Sequence, residues 1–472
     1  MAETIYDVAI IGSGPAGYTS AIRAGQYGLK AALIEKNAKL GGTCLHVGCI
    51  PTKALLFYAE LYDYLKEGKE FGLVGGENVK LDWAAIMQRK DKIVTKHAKG
   101  LEFLMKKNKV TTVPGYGRLT GPAKSGAFDV EVDNGGQKST LKAKNIILAT
   151  GSEARMLPGL QSDDRILTNI EILSLNKIPK SLIVVGAGAV GVEFASIYKS
   201  FGTEVTILEM LPRLVPVEDE EISKELARVF KKRGIDFYVG AKVDKVEKTK
   251  DGVAVSITVE GKQQKIEGEK ILIAVGRKPN TENVGLDKVK NIQVERGFIH
   301  TDQWMQTGEP GICAVGDIVA GMPQLAHAGS MEGIVAVSRI AGKPAKPVKR
   351  ELIPGCTYCE PQIGSVGLTE AAAREKKLDI KVGKFPFAGN SKATIVGAHE
   401  GFVKVVAGAK YGEILGVHII GPGATETISE AVTAMENEST IEEMMFTVHA
   451  HPTLYEALGD GFASVYGMAI NA

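Results

Sequence analysis

Twice in this sequence an apolar strand pattern runs straight into Gly-x-Gly-x-x-Gly and out into a helical pattern. The first instance is "DVAIIGSGPAGYTSAIRAGQYG", with Gly12, Gly14 and Gly17; the second is "SLIVVGAGAVGVEFASIYKSFG", with Gly186, Gly188 and Gly191. The first glycine of such a motif permits a tight turn. The second lets backbone approach a pyrophosphate, and the third allows helix and strand to pack closely, with the helix N-terminus facing the negative charge. Each motif is followed, eighteen residues after its last glycine, by a glutamate closing another apolar strand: Glu35 in "AALIE" and Glu209 in "VTILE". A carboxylate there can accept hydrogen bonds from ribose hydroxyls. A glycine-rich turn without a nucleotide is the alternative to each match. It is weakened by the strand before, the helix after and the glutamate beyond.

Strand, helix, strand with short connections implies a parallel sheet, so the fold class is α/β with two Rossmann-like dinucleotide-binding domains. At 472 residues the chain is too long for one ordinary core. Its 55 glycines suit many tight turns and close approaches to ligands. Further strand-into-glycine elements follow at "NIILATGSEARMLPG", "KILIAVGRKPN" and "GICAVGDIVAG". "AGKPAKPVKR" reads as a linker, and an alternating α+β stretch runs from it to the end. The expected organisation is a first dinucleotide-binding domain at 1–150, a second at 151–278, a central region completing the first site at 279–347, and a C-terminal α+β domain at 348–472.

A net charge of +2 gives no electrostatic case for nucleic acid or an anionic membrane. No apolar run approaches the length of a membrane span. "MAETIYDVAIIGSG" enters a strand almost at once, which leaves no room for a signal peptide, and the expected location is cytoplasmic. A mitochondrial matrix location would require that a targeting peptide had been removed. In such a compartment thiols stay reduced, so a disulfide among the five cysteines would more readily be catalytic than structural.

The two fingerprints should hold different nucleotides. Glu209 would repel the extra phosphate of NADP, so the second site is assigned to NAD; Arg213 nearby reads as a solvated helix start. The first site is rejoined late in the chain by "AVGDIVAG", where Asp317 can supply a carboxylate to the ribityl chain of FAD, an ordinary helix cap being its other reading.

"GGTCLHVGCIPTK" places Cys44 and Cys49 ahead of a helical pattern. On a regular helix, Cα atoms five residues apart lie roughly 8 to 9 Å from each other, beyond the ~7 Å reach of a disulfide. Pairing therefore needs a break in the helix, which Gly48 and Pro51 can provide. Such a bond should be reducible, and the later cysteine gains thiolate stabilisation at the helix start. A chain holding a flavin and a nicotinamide needs a redox partner, which favours a couple over buried thiols. Metal binding is the weakest reading, since His46 alone does not complete a zinc-like set; no metal is expected. Cys313 reads as core, and Cys356 and Cys359 in "CTYC" as packing thiols in a strand rather than a second pair.

Near the C-terminus, "HAHPTLYEALGD" offers a base for thiol chemistry. His451 precedes Pro452, which biases it toward extended backbone, and Glu456 could orient its imidazole. An ordinary partly buried histidine is the competing reading. Nothing in sequence marks His449 as oriented.

The motifs "GSGPAG", "GGTCLHVGCIPTK", "VVGAGAVGVEFAS", "AVGRKPN", "AVGDIVAG", "LAHAGSMEG" and "HAHPTLYE" together resemble the flavin-dependent pyridine nucleotide–disulfide oxidoreductases over essentially the whole chain, most closely the branch that oxidises dihydrolipoyl groups with NAD. The resemblance implies one FAD per subunit and a C-terminal interface domain that builds a homodimer, with His451 and Glu456 serving the disulfide of the partner subunit. It implies that Cys44 exchanges with substrate sulfur and Cys49 contacts the flavin. Lys53 and Glu193 would form an ion pair by the flavin edge, and Gly151, Gly276 and Ala326 would line cofactor sites. The substrate would be dihydrolipoamide, or a lipoyl group on an acyltransferase or glycine-cleavage carrier protein. His46, Thr52 and Tyr455 stand where the family usually has asparagine, serine and serine, and Cys356 and Cys359 also depart from its pattern. There is no C-terminal cysteine pair of the mercuric reductase kind, and Ala189 falls near the lid tyrosine of glutathione reductases.

Overall fold

The computed structural model describes residues 4–122 and 126–471. The start of the N-terminal stretch and Ser125 at the head of "SGAFDVEVDNGG" lie outside those residues. The chain divides into two compact units, one of Met1–Ala54, Met87–Arg155 and Arg277–Arg350, the other of Leu55–Ile86, Met156–Gly276 and Glu351–Ala472.

In the first unit the opening motif becomes strand β1 (Ile5–Ile11), helix α1 (Pro15–Gln26) and strand β2 (Ala31–Glu35). A short helix, α2 (Gly42–Val47), leads to a longer one, α3 (Cys49–Lys66), of which only the residues up to Ala54 belong to this unit. Strands β3 (Thr111–Pro114), β4 (Tyr116–Leu119), β5 (Phe128–Asn134) and β6 (Gln137–Leu148) complete a sheet of order β3-β2-β1-β6-β5-β4, with strand Ile312–Ala314 added beside β6. β1 lies parallel to β2 on one side and to β6 on the other. The strand order, not the strand direction, reverses at that point, which opens a crevice at the carboxyl end of β1. Both faces are covered, as a parallel sheet requires. Val8 and Ile10 join Leu33, Ile147 and the alanines of α1 in one core, while Ala9 and Ile11 join Ile34, Leu148 and Phe128 in another. That two-residue alternation is why "DVAIIG" carries no polar residue between Val8 and Ile11.

In the second unit the repeat forms strand Ser181–Val185, helix Ala189–Ser200 and strand Glu204–Leu208. Strand Ser181–Val185 again sits between two parallel neighbours, Glu204–Leu208 and Lys270–Ile273. A three-stranded antiparallel sheet, Lys242–Lys248, Val253–Val259 and Lys262–Gly268, packs against the same core. The C-terminal region folds as a five-stranded antiparallel sheet, whose central strands Phe402–Gly408 and Ile414–Gly421 are almost wholly buried. Helices Ala424–Glu436 and Tyr455–Ser464 pack on it through Ile428, Ala431, Leu458 and Phe462. Residues 343–349 carry no regular structure, in keeping with a linker.

Candidate functional site

The two glycine turns are built alike. A Cβ on Gly12 would collide with the Ala149 carbonyl, and one on Gly186 with the Ala274 carbonyl; both glycines have positive φ, 103° and 101°. A Cβ on Gly17 or Gly191 would strike the carbonyl of Gly12 or Gly186, five residues back in each case. Those positions are glycine because helix, turn and strand leave no room. Gly14 and Gly188 differ: a Cβ there meets no protein atom within 4 Å. Each is the N-cap of its helix, and neither helix start receives a side-chain cap. Uncapped N–H groups at a helix start facing open space suit a pyrophosphate. Gly151 and Gly276, with φ of 70° and 103°, also border open space.

Both glutamates are buried and both hold their turns. Glu35 Oε2 accepts from the Ser13 N–H (3.0 Å) and Oγ–H (2.6 Å), and Oε1 accepts from the backbone and side-chain N–H groups of Asn37, both at 2.8 Å. Glu209 accepts from the Ala187 N–H at 2.6 Å and the Leu211 N–H at 2.8 Å. A carboxylate has about four acceptor sites, so Glu209 keeps two for ribose hydroxyls. Arg213 is not a solvated helix start. Its guanidinium reaches the Glu220 carboxylate (3.2 Å) and donates to the Pro216 (3.0 Å) and Glu218 (3.4 Å) carbonyls, bracing the turn before helix Glu220–Lys232.

Cys44 and Cys49 form a disulfide, with Cα atoms 4.7 Å apart. Gly48, at φ −144° and ψ −117°, ends α2 and lets α3 restart at Cys49. The Thr52 N–H and Oγ–H both donate to the Gly48 carbonyl, at 3.1 and 2.7 Å, and steady the break. His46 donates from Nε2 to the Leu40 carbonyl at 2.8 Å, which ties the imidazole to the loop before α2. The cysteine segment rests on the first glycine turn. The Gly41 N–H donates to the Ser13 carbonyl and Oγ, both at 3.1 Å, and a Cβ on Gly42 would come within 2.6 Å of the Gly14 Cα.

Asp317 follows strand Ile312–Ala314 in a turn, and the next helix starts only at Ala326, so it caps no helix. Its carboxylate accepts from Ser152 Oγ, and Ser152 accepts in turn from Arg277 Nε at 2.6 Å, with Arg277 Nε 3.8 Å from Asp317 Oδ2. Burial lowers the pKa of the Arg277 guanidinium, while Asp317 and Glu153 work the other way. Ala326 opens helix Ala326–Ile340, whose first turn also lacks a side-chain cap.

In the second unit His451 Nδ1 lies 2.9 Å from Glu456 Oε1. The Thr453 N–H, foremost, and the His451 ring hold the Glu456 carboxyl below its usual range against slight desolvation, so it is ionised and can only accept. Nδ1 is therefore the donor, and Nε2 keeps a free lone pair on a side chain that is 70 % exposed. His449 is oriented after all: Nε2 lies 2.6 Å from Glu430 Oε1 on helix Ala424–Glu436. That pair is formed across nineteen residues, and no local spacing announces it. Glu193 is buried on helix Ala189–Ser200 and accepts from the Tyr358 N–H at 3.0 Å. Cys313, Cys356 and Cys359 are not in disulfides. Burial pushes Cys313 up to about 12 and Cys359 well above the ordinary thiol value, which makes both poor nucleophiles.

The profile described as pyridine nucleotide-disulphide oxidoreductase matches residues 6–333, and that of the dimerisation domain of the same family matches 353–461. A dihydrolipoyl dehydrogenase of Bacillus subtilis is 45% identical over 99% of both chains. Another, from Rhizobium etli, is 45% identical over 100% of both. Among solved structures, LpdA from Mycobacterium tuberculosis superposes with a TM-score of 0.89 at 26% identity, over 96% of this chain and 98% of that one. The HOCl-induced flavoprotein disulfide reductase RclA from Escherichia coli gives 0.85 at 26% identity, over 97% and 99%.

Proposed function

The chain belongs to the pyridine nucleotide-disulphide oxidoreductases, and we propose how its residues perform the chemistry of that family. The activity is FAD-dependent oxidation of dihydrolipoyl groups at a redox disulfide, with NAD+ as the acceptor. The observation that carries the reading is the Cys44–Cys49 disulfide seated on the first glycine turn.

The residues present fit both cofactors. Gly12, Gly14, Gly17, Gly151 and the Asp317 turn would hold FAD, and Ala326 would close that site; Glu35, whose carboxylate already accepts four hydrogen bonds, would serve by holding the Ser13 turn in place. Gly186, Gly188, Gly191 and Gly276, with Glu209, would hold NAD. The supporting features are the open space at each second glycine and the uncapped helix starts behind it. FAD held there would supply the two-electron chemistry that links a dithiol to hydride transfer onto NAD.

The chain's own groups do the rest. His451 Nε2 takes the proton of a dihydrolipoyl thiol, and Glu456 steadies the imidazolium that forms. The substrate thiolate attacks Cys44 Sγ, the bond between the cysteines breaks, and Cys49 leaves as thiolate at the start of α3, where the helix dipole stabilises it. The second substrate thiol displaces Cys44 from the mixed disulfide, which closes the lipoyl ring and leaves both cysteines reduced. Lys53, on α3, would supply positive charge to the flavin ring.

The matched dimerisation domain supports a homodimer, and in it His451 and Glu456 would serve the disulfide of the partner subunit. The carrier would be a lipoyl-bearing acyltransferase or glycine-cleavage protein, in the cytoplasm. Among the described residues, no helix is long and apolar enough to cross a membrane. The domain limits 1–150, 151–278, 279–347 and 348–472 are part of this proposal. Assays with NAD+ and dihydrolipoamide, beside NADPH with glutathione disulfide or Hg(II), test it. Turnover is expected with the first pair, and its absence would contradict the reading.

A further inference from the structure

Helix Ala326–Ile340, "AHAGSMEGIVAVSRI", is made largely of small and apolar residues, and its one acidic residue is Glu332. That side chain is 0% exposed. Its Oε2 accepts from the Gly316 N–H at 2.6 Å, and its Oε1 is buried without a hydrogen-bond partner among the described residues. Gly316 immediately precedes Asp317 and has φ of 77°. The helix approaches this turn so closely that a Cβ on Gly329 would lie 3.0 Å from the Gly316 Cα. A buried carboxyl with one oxygen unmet is costly unless something completes it.

We propose that Glu332 is a positioning residue of the FAD site: a neutral carboxylic acid that fixes the Gly316–Asp317 turn through Oε2 and leaves the Oε1 hydroxyl as a donor completed when the cofactor and its ordered water are bound. This rests on the assignment of the first glycine turn to FAD. The chemistry suits the residue. A carboxylate here would stand beside Asp317 and the anionic pyrophosphate, whereas the acid adds a donor without adding charge.

The surroundings keep it an acid. Burial, offset in part by the Gly316 N–H and reinforced by the Asp317 charge, pushes the Glu332 carboxyl up to about 7. Among the described residues, Asp317 is the charged group that acts on it. α1 packs on the same helix with Ala16 and Ser20, and Ser20 Oγ–H is committed to the Ala16 carbonyl at 2.7 Å. The charged groups of α1 and of the helix itself are Arg23, His327 and Arg339; Arg23 stands over the Tyr27 ring and Arg339 over the Trp304 ring. Because the folded value lies above the ordinary 4.5, raising the pH through about 7 ionises Glu332 in place and sets a second negative charge at the turn.

The test is FAD binding to apo-protein, read by flavin fluorescence between pH 6 and pH 8.5, for wild type, Glu332→Gln and Glu332→Ala, with circular dichroism on each apo-protein. Wild-type affinity is expected to fall above about pH 7, by up to about tenfold per unit. Glu332→Gln, neutral at every pH, should bind with a flat profile. Folded Glu332→Ala should bind about tenfold or more weakly even at pH 6, where wild type is neutral. A Glu332→Gln profile that falls like wild type, or a wild-type profile already flat, would overturn the proposal. Failure of wild type to bind FAD at any pH would instead overturn the cofactor assignment on which it rests.

Discussion

Cys44 and Cys49 lie five residues apart, yet their Cα atoms are 4.7 Å from each other, because Gly48 interrupts the helix between them. The break has a chemical consequence. It makes Cys49 the first residue of α3, where exposed N–H groups stabilise a thiolate, and leaves Cys44 on the preceding short helix. The two sulfurs are therefore inequivalent before any substrate arrives.

The glycines separate structural from binding roles. A Cβ on Gly188 meets no protein atom within 4 Å, and its φ of −72° suits any residue. Gly188→Val should leave the thermal transition within a few degrees of wild type while raising KM for NAD+ about tenfold or more, as steady-state kinetics would read. Gly191→Val faces the Gly186 carbonyl and should instead lower the unfolding temperature sharply or prevent folding.

On the proposed assignment Glu209 disfavours NADP+, and Arg213 is held away by Glu220 and the turn carbonyls. Glu209→Gln keeps a group able to accept from the Ala187 N–H but removes the charge that opposes a 2′-phosphate. The ratio of kcat/KM for NAD+ over NADP+ should fall about tenfold. The change should be modest because Arg213 remains committed to Glu220 and the turn carbonyls.

The second unit's His–Glu pair should matter through proton transfer. His451→Gln should reduce kcat/KM for dihydrolipoamide by about 10²–10⁴-fold. Glu456→Gln should cost less, since Nε2 persists while its orientation weakens. Direct anaerobic reduction of the enzyme by NADH, which needs no substrate base, should be nearly unchanged in both variants.

Lys404 is 2% exposed and lies within 2.9 Å of the Asp219, Glu221 and Glu370 carboxylates. Removing the cation leaves the buried Asp219 carboxylate without its counter-ion, while Glu221 and Glu370 keep Lys384 and Arg374, so Lys404→Met should destabilise this unit by about 3–5 kcal/mol, seen calorimetrically. Burial opposes ionisation of Asp219, but Lys404 and the Glu221 N–H still hold its carboxyl below the usual range, and Lys404 does the same for Glu370. A depressed carboxyl contributes stability above its unfolded value, which is lost as the pH falls through the folded one. Wild-type melting temperature should therefore drop steeply below about pH 4, and that of Lys404→Met should drop less.

Much of the fold was legible because it is local. "GSGPAG" and "GAGAVG" each sit between a strand and a helix only a few residues away, and β2 falls on "AALIE" as written. The His451–Glu456 pair was legible for the same reason. Arg213 was misread because its partners depend on how residues 216–220 turn back. The His449–Glu430 pair, the Gly316–Glu332 bond and the Lys404 cluster, with Asp219 185 positions away, are products of tertiary packing that no short spacing encodes. A signal for Glu332 was present, though: one acid in a helix of small and apolar residues.

The central claim is a directed relay, with Cys44 toward substrate and Cys49 toward flavin. Anaerobic reduction of the flavin-loaded enzyme by dihydrolipoamide or NADH, followed by absorbance, tests it most directly. A long-wavelength band from a thiolate against oxidised flavin should grow in wild type, and should be absent from Cys49→Ser while remaining obtainable in Cys44→Ser. A band that survives in Cys49→Ser, or that depends on Cys44 alone, would contradict the assignment.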